Sequence, residues 1–159
     1  MNKIFNTLKS ELKAVMGSQL TKNYDLDKEP YMQAGLHQLW SVYRATKRGK
    51  EDEVSIFMLE KKMWDSKKSM SDNPQMREEA LGVLKKDPFN LMKLRHPAIL
   101  NLIETPAEDD KYVVFITEYV PYSLACFADN TKDIRDKIPS IIEIKMIALE
   151  LLEAINFLH

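Results

Sequence analysis

Residues 39–59 read LWSVYRATKRGKEDEVSIFML, and the fold turns on this stretch. Leu39-Trp40-Ser41-Val42-Tyr43 and Val54-Ser55-Ile56-Phe57-Met58-Leu59 are rich in β-branched and aromatic residues, which suit a pleated, partly buried surface. Between them, Thr46-Lys47-Arg48-Gly49-Lys50-Glu51-Asp52 is polar with a glycine at its centre. Two such runs joined by such a turn predict a β-hairpin.

Downstream of the hairpin lies a charged stretch, and then residues 75–86 (QMREEALGVLKK) predict a helix with Asn73-Pro74 as cap and first-turn proline. Asp87-Pro88 interrupts it, and Asp87 is placed to cap a second short helix from Pro88 to Leu94. Arg95-His96-Pro97 is a stop. Two strands follow, Ile99-Leu100-Asn101-Leu102-Ile103 and Tyr112-Val113-Val114-Phe115-Ile116-Thr117, with the acidic turn Glu108-Asp109-Asp110 between them. From Ile144 to His159 the residues Ile144, Ile147, Ala148, Leu151, Leu152, Ile155 and Leu158 form one broad helical stripe, apolar enough to want burial on several sides. Nothing follows to cover it, so the expectation is a truncated chain or one that depends on a partner. Upstream, Ile4, Phe5, Leu8, Leu12, Val15 and Met16 recur at helical spacing over 3–16. That amphipathic segment either docks on its own domain or touches a membrane surface or partner. Strands grouped around one crossing helix, then a helical start, indicate the α+β class.

Composition narrows the function. The chain has 159 residues, 45% of them hydrophobic and 30% charged, as in a globular domain. Lys and Arg number 23 against 24 Asp and Glu, so no net field attracts nucleic acid, and no basic stripe with interleaved aromatics is present. Cys126 is the only cysteine, which excludes an internal disulfide and a site of several thiolates. No apolar run approaches the roughly 20 residues that span a bilayer. Met1-Asn2-Lys3-Ile4 opens no secretory-type apolar core, so a cytoplasmic setting is expected.

Three stretches bring in a known family. Leu94-Arg95-His96-Pro97-Ala98-Ile99-Leu100 resembles the L-x-H-P-x-I-L junction between helix and strand in protein kinases. Phe115-Ile116-Thr117 followed by Glu118-Tyr119-Val120 resembles the fifth strand, gatekeeper and hinge. Leu152-Glu153-Ala154-Ile155-Asn156-Phe157-Leu158-His159 resembles the helix that ends before the catalytic loop. Order and spacing agree over about residues 24–159. The resemblance implies an amino-terminal lobe of about five antiparallel strands and one crossing helix over 24–120. An amphipathic helix precedes it over 1–20. The hinge exit and the first helices of an incomplete carboxyl-terminal lobe follow over 121–159.

The chemistry can be tested position by position. Kinases cradle ATP phosphates with G-x-G-x-x-G-x-V, because only glycine lets backbone N–H groups come close. The matching stretch here is Gly35-Leu36-His37-Gln38-Leu39-Trp40-Ser41-Val42, with His37 and Trp40 in place of the second and third glycines. The V-A-I-K motif supplies a lysine for the phosphates; here it reads Val54-Ser55-Ile56-Phe57. Phe57 cannot donate a charged hydrogen bond and is expected to fill the phosphate region with apolar bulk. Lys61 and Lys62 are either solvated surface lysines or reach back to replace it. The partner glutamate falls at Asp87, nine residues before His96, where capping explains it as well as ion pairing. Gly35, His37, Trp40, Val42, Ser55, Phe57, Asp87, Thr117, Glu118 and Val120 are thus degenerate equivalents of a nucleotide site. The catalytic Asp and both metal-binding groups of the family belong after residue 159, so no catalytic or metal-ligating residue is expected within the chain.

These substitutions, with Val54–Lys62, Ser123-Leu124-Ala125 and the opening Ala14-Val15-Met16-Gly17, resemble the SCY-like pseudokinases, nearest the member associated with clathrin-coated vesicles. A shorter loop before Trp40 and a longer insert around Asp65 to Asn73 depart from it. The resemblance implies an inactive scaffold or adaptor in Golgi and endosomal vesicle traffic, cytoplasmic or peripheral on vesicles, with clathrin coat or adaptor proteins as partners. No cofactor is expected, with weak ATP binding left open. Two alternatives stand beside it. One is a weakly active ATP-binding serine/threonine kinase using Lys61 or Lys62. The other is an unrelated α+β interaction domain.

Overall fold

The computed structural model describes residues 23–35, 38–62, 74–123 and 139–159. The amphipathic segment 3–16, His37, the insert at 65–73 with Asn73, and Cys126 lie outside the described residues.

The hairpin forms where the sequence predicts it. Strands β3 (Trp40–Lys47) and β4 (Glu53–Glu60) pair antiparallel with Val42 opposite Phe57. Gly49 turns the chain at φ 77°, a conformation glycine adopts without strain. Two short strands, β1 (Tyr24–Leu26) and β2 (Met32–Ala34), pair with opposite ends of β3. On the other side β4 pairs with β6 (Tyr112–Glu118), and β6 with β5 (Leu102–Glu108). All six strands are antiparallel and run in order β1-β3-β4-β6-β5, with β2 beside β3. Because β1 and β2 share one row, the sheet has the five-row layout the resemblance implies.

Both faces of the sheet are covered. Every residue from Val54 to Leu59 and from Tyr112 to Thr117 is buried, the polar Ser55 and Thr117 included, as near-continuous apolar runs between turns allow. On one face the helix α1 (Pro74–Leu91) lays Ala80, Leu81 and Leu84 against Trp40, Phe57, Leu59 and Phe115. On the other, Tyr43, Val54, Ile56, Met58, Val114 and Ile116 form a second cluster. The sheet curls around this second cluster. Tyr24 on β1 donates its hydroxyl to Glu104 Oε1 on β5 at 2.8 Å, although those strands are the two ends of the sheet. Burial, and then the Glu104 carboxylate, push the Tyr24 hydroxyl well above the usual phenol range. Each apolar side chain buried here contributes about 1.5–3 kcal/mol.

Three boundaries differ from expectation. α1 runs unbroken through Pro88, so Asp87 is a helical residue and caps nothing. Pro88 lies in the last turns, where its ring costs one N–H bond to Leu84, and full burial of the ring offsets that loss. The Met92 amide still donates to the Pro88 carbonyl at 3.1 Å. β5 starts at Leu102 because the preceding residues close a turn: the Ile99 amide donates to the His96 carbonyl at 3.0 Å, and the Ala98 amide to His96 Nδ1 at 3.1 Å. Pro106 within β5 is tolerated because an edge strand has one unpaired side. The last helix, α2 (Ile141–Leu158), starts three residues early, at a capping box. There the Glu143 amide donates to Ser140 Oγ at 3.3 Å and the Ser140 amide to Glu143 Oε2 at 2.7 Å. These bonds hold the Glu143 carboxyl below its usual range. Of the apolar residues of α2 only Ala154 is buried, and Leu152 is 62% exposed. Its far end touches the lobe where Phe157 meets His96 at 4.9 Å between ring centroids. Among the described residues no helix is long and apolar enough to cross a membrane.

Candidate functional site

Gly35 follows β2 with φ 73°, and a Cβ there would come within 2.5 Å of Trp40 Cδ1. The indole therefore lies on the glycine backbone. This glycine makes room for Trp40, where in a phosphate loop it would make room for a ligand. The Gln38 amide donates to the Gly35 carbonyl at 3.0 Å.

The sheet register then builds an aromatic column. Val42, Phe57 and Phe115 stand side by side on three neighbouring strands. Phe57 and Phe115 stack at 4.7 Å with their planes 8° apart, and Trp40 meets Phe115 edge-on at 4.9 Å. Phe57 is only 7% exposed. Beside the column, toward α1, opens a cavity of about 410 Å³ walled by Trp40, Phe57, Phe115, Leu91 and Leu94. Asp87 is its one charged lining residue among those described, a carboxylate that repels phosphate. The structure thus brings Gly35, Trp40, Phe57 and Asp87 to one cavity, and among the described residues that line it none is a cation.

Lys61 neither reaches back nor points freely into water. Its Nζ donates to Glu108 Oε1 at 2.7 Å and to the Asp109 carbonyl, and Lys85 on α1 adds a second ion pair to Glu108 at 2.8 Å. These hydrogen bonds, first from Lys61 and then from Lys85, hold the Glu108 carboxyl below its ordinary value. Lys62 is exposed beyond the end of β4.

The hinge side closes on itself. Thr117 is buried, and its hydroxyl donates to the Glu118 carbonyl at 2.8 Å. Glu118 Oε1 accepts the Asn101 amide at 3.0 Å. The Val120 amide donates to Ser55 Oγ at 2.9 Å, and the Tyr31 hydroxyl donates to the Val120 carbonyl at 2.5 Å. Tyr31 and Ser55 oxygens are themselves 2.8 Å apart. A hydroxyl carries one proton, so with the Tyr31 proton on Val120, Ser55 must donate to Tyr31. Tyr31 and Phe115 are the residues sequence reasoning missed. Phe115 was findable, two residues before Thr117 on the face shared with Phe57. Nothing local marks Tyr31, because the β1–β2 connection alone brings it here.

No family model matches the chain. It is 32% identical over 127 residues to protein kinase domain-containing protein ppk32 of Schizosaccharomyces pombe, covering 78% of this chain. It is 30% identical over 158 residues to protein kinase-like protein SCY1 of Saccharomyces cerevisiae, covering 88% of this chain. Over its whole length it is 27% identical to SCY1-like protein 2 of Homo sapiens. The chain spans 17%, 19% and 18% of those relatives. The crystal structure of Rad53 1-466 in complex with AMP-PNP superposes with a TM-score of 0.57 over 88% of this chain and 31% of that one, at 18% identity, a likeness of fold alone. With the kinase-type sheet and crossing helix in place, these relatives show the chain to be homologous to a kinase-domain segment of SCY1 and SCY1-like protein-kinase-like proteins.

Proposed function

We propose that this lobe is catalytically inert and serves as a binding scaffold in an adaptor of clathrin-linked Golgi and endosomal traffic. The observation that carries the inert part is the Trp40–Phe115–Phe57 column, which fills the phosphate region with apolar rings beside a lone carboxylate. Phosphoryl transfer needs cationic groups against the developing charge. The weakly active alternative loses its best lysine, since Lys61 is committed to Glu108.

A thermal-shift titration with Mg-ATP tests this reading. No change in Tm is expected up to millimolar nucleotide. A ligand at 100 times its Kd stabilises by about 2.7 kcal/mol, so a saturable rise in Tm would overturn the reading. The adaptor role is supported by the family resemblance, with coat or adaptor proteins as partners and residues 3–16 as a contact for the vesicle surface. Flotation with anionic liposomes, with and without residues 3–16, tests that contact: recovery equal in both would remove it.

A further inference from the structure

β6 leaves the ladder after Glu118, and two residues later Val120 presents one amide N–H and one carbonyl outside the sheet. A backbone donor and acceptor side by side, at the rim of an apolar wall, are what a flat heteroaromatic base with its own donor–acceptor edge would engage. Val120 is also a position the kinase resemblance assigns to the nucleotide site. Both of its polar groups are already taken. The Val120 amide donates to Ser55, Ser55 to Tyr31, and Tyr31 back to the Val120 carbonyl, a closed ring of three hydrogen bonds. Ser55 is wholly buried, so its oxygen has no water to exchange for. The Tyr31 ring lies over the same segment, 6.1 Å from the Tyr119 ring between centroids.

We propose that Tyr31 and Ser55 form a built-in plug that satisfies the hinge backbone and shuts purine bases out of this lobe. This rests on the inert-lobe reading and deepens it: exclusion acts at the base edge, independently of the missing lysine. Cyclic hydrogen bonding polarises each member, so the ring is harder to open than its bonds taken singly. A base would have to break the Val120 amide bond to Ser55 and displace the Tyr31 hydroxyl that covers the carbonyl before seating its own edge, and a partly broken ring leaves buried groups unpaired.

Amide exchange and an adenosine titration, both read by NMR at Val120, test the plug. Adenosine carries no phosphate, so Phe57 and Asp87 do not bear on the outcome. In the wild-type chain the Val120 amide exchanges slowly and adenosine shifts no signal. Ser55→Ala, which removes the acceptor, speeds Val120 exchange tenfold or more. Tyr31→Phe keeps the ring and opens the cycle, and Tyr31→Ala also clears the space. Saturable adenosine shifts at Val120 are expected in Tyr31→Ala and, weaker, in Tyr31→Phe. An unprotected Val120 amide in the wild-type chain overturns the plug. So does adenosine binding equally to wild type and variants, or to no variant although Tyr31→Phe keeps the native spectrum. Those failures leave the inert-lobe reading standing, whereas wild-type binding of Mg-ATP through its phosphates, with adenosine still shifting no signal, sinks that reading and leaves the plug in place.

Discussion

The strand β4 and the helix α2 are both strongly apolar, yet they end in opposite situations. β4 buries six consecutive side chains between α1 on one face and the curled sheet on the other. α2 exposes nearly all of its stripe, with Ile144, Ile147, Leu151, Leu152, Ile155 and Leu158 open to solvent. An apolar pattern states a demand for burial; whether it is met depends on which surfaces the rest of the chain brings opposite. In β4 the demand is met so fully that Phe57 and Leu59 become part of the core.

The largest effect should come from breaking the β4 side of this contrast. Phe57→Ala removes the centre of the aromatic column and is expected to cost about 3–5 kcal/mol in urea unfolding. Leu152→Ala on α2 should change stability by no more than about 0.5 kcal/mol. Equal losses in the two variants would mean that α2 is buried in solution and the contrast false. Next comes Gly35→Ala, which sets a Cβ against Trp40 at a positive φ. A loss of about 1–3 kcal/mol is expected, with a changed tryptophan fluorescence maximum. An unchanged maximum and midpoint would show that the indole does not rest on Gly35.

Ser140→Ala sharpens the α2 side by removing the capping box. About 1 kcal/mol of helix stability should go, read as lost helical circular dichroism while sheet unfolding is unaffected. The smallest effect belongs to the charged end of β4. The folded state holds the Glu108 carboxyl below its ordinary value of 4.5. A lowered folded pKa stabilises above the unfolded pKa, and that contribution is lost as pH falls through the folded value. Glu108→Gln should therefore destabilise by about 0.5 kcal/mol at neutral pH and flatten the acid limb below pH 4.5. An acid limb identical to wild type would mean that Lys61 and Lys85 do not hold this carboxylate.

Much of the frame was legible along the chain. The hairpin, β6 and the bulk of α1 follow from local runs of apolar residues and their turns. The misreadings have local causes. Asp87-Pro88 looks like a boundary because proline lacks a donor, but the ring is buried and one lost bond is tolerated near a helix end. Ile99 and Leu100 look like strand, but His96 captures the amides of Ile99 and Ala98 and bends the chain first. Of the cavity lining, Trp40 and Phe57 stand out in the sequence by motif spacing, and the hairpin register carries both side chains to the same wall.

What the sequence determined alone is chemical: no cation at Phe57, no glycine at Trp40, and runs of β-branched and aromatic residues that make strands of β3, β4 and β6. Only the tertiary structure decided what replaces the missing contacts. The stacking of Phe57 on Phe115, the packing of Trp40 on Gly35, the loss of Lys61 to Glu108 and the ring through Tyr31, Ser55 and Val120 join residues up to 89 positions apart. Residue type and local spacing carry no record of such pairings, because they depend on how far the sheet curls and where the β1–β2 connection falls across it.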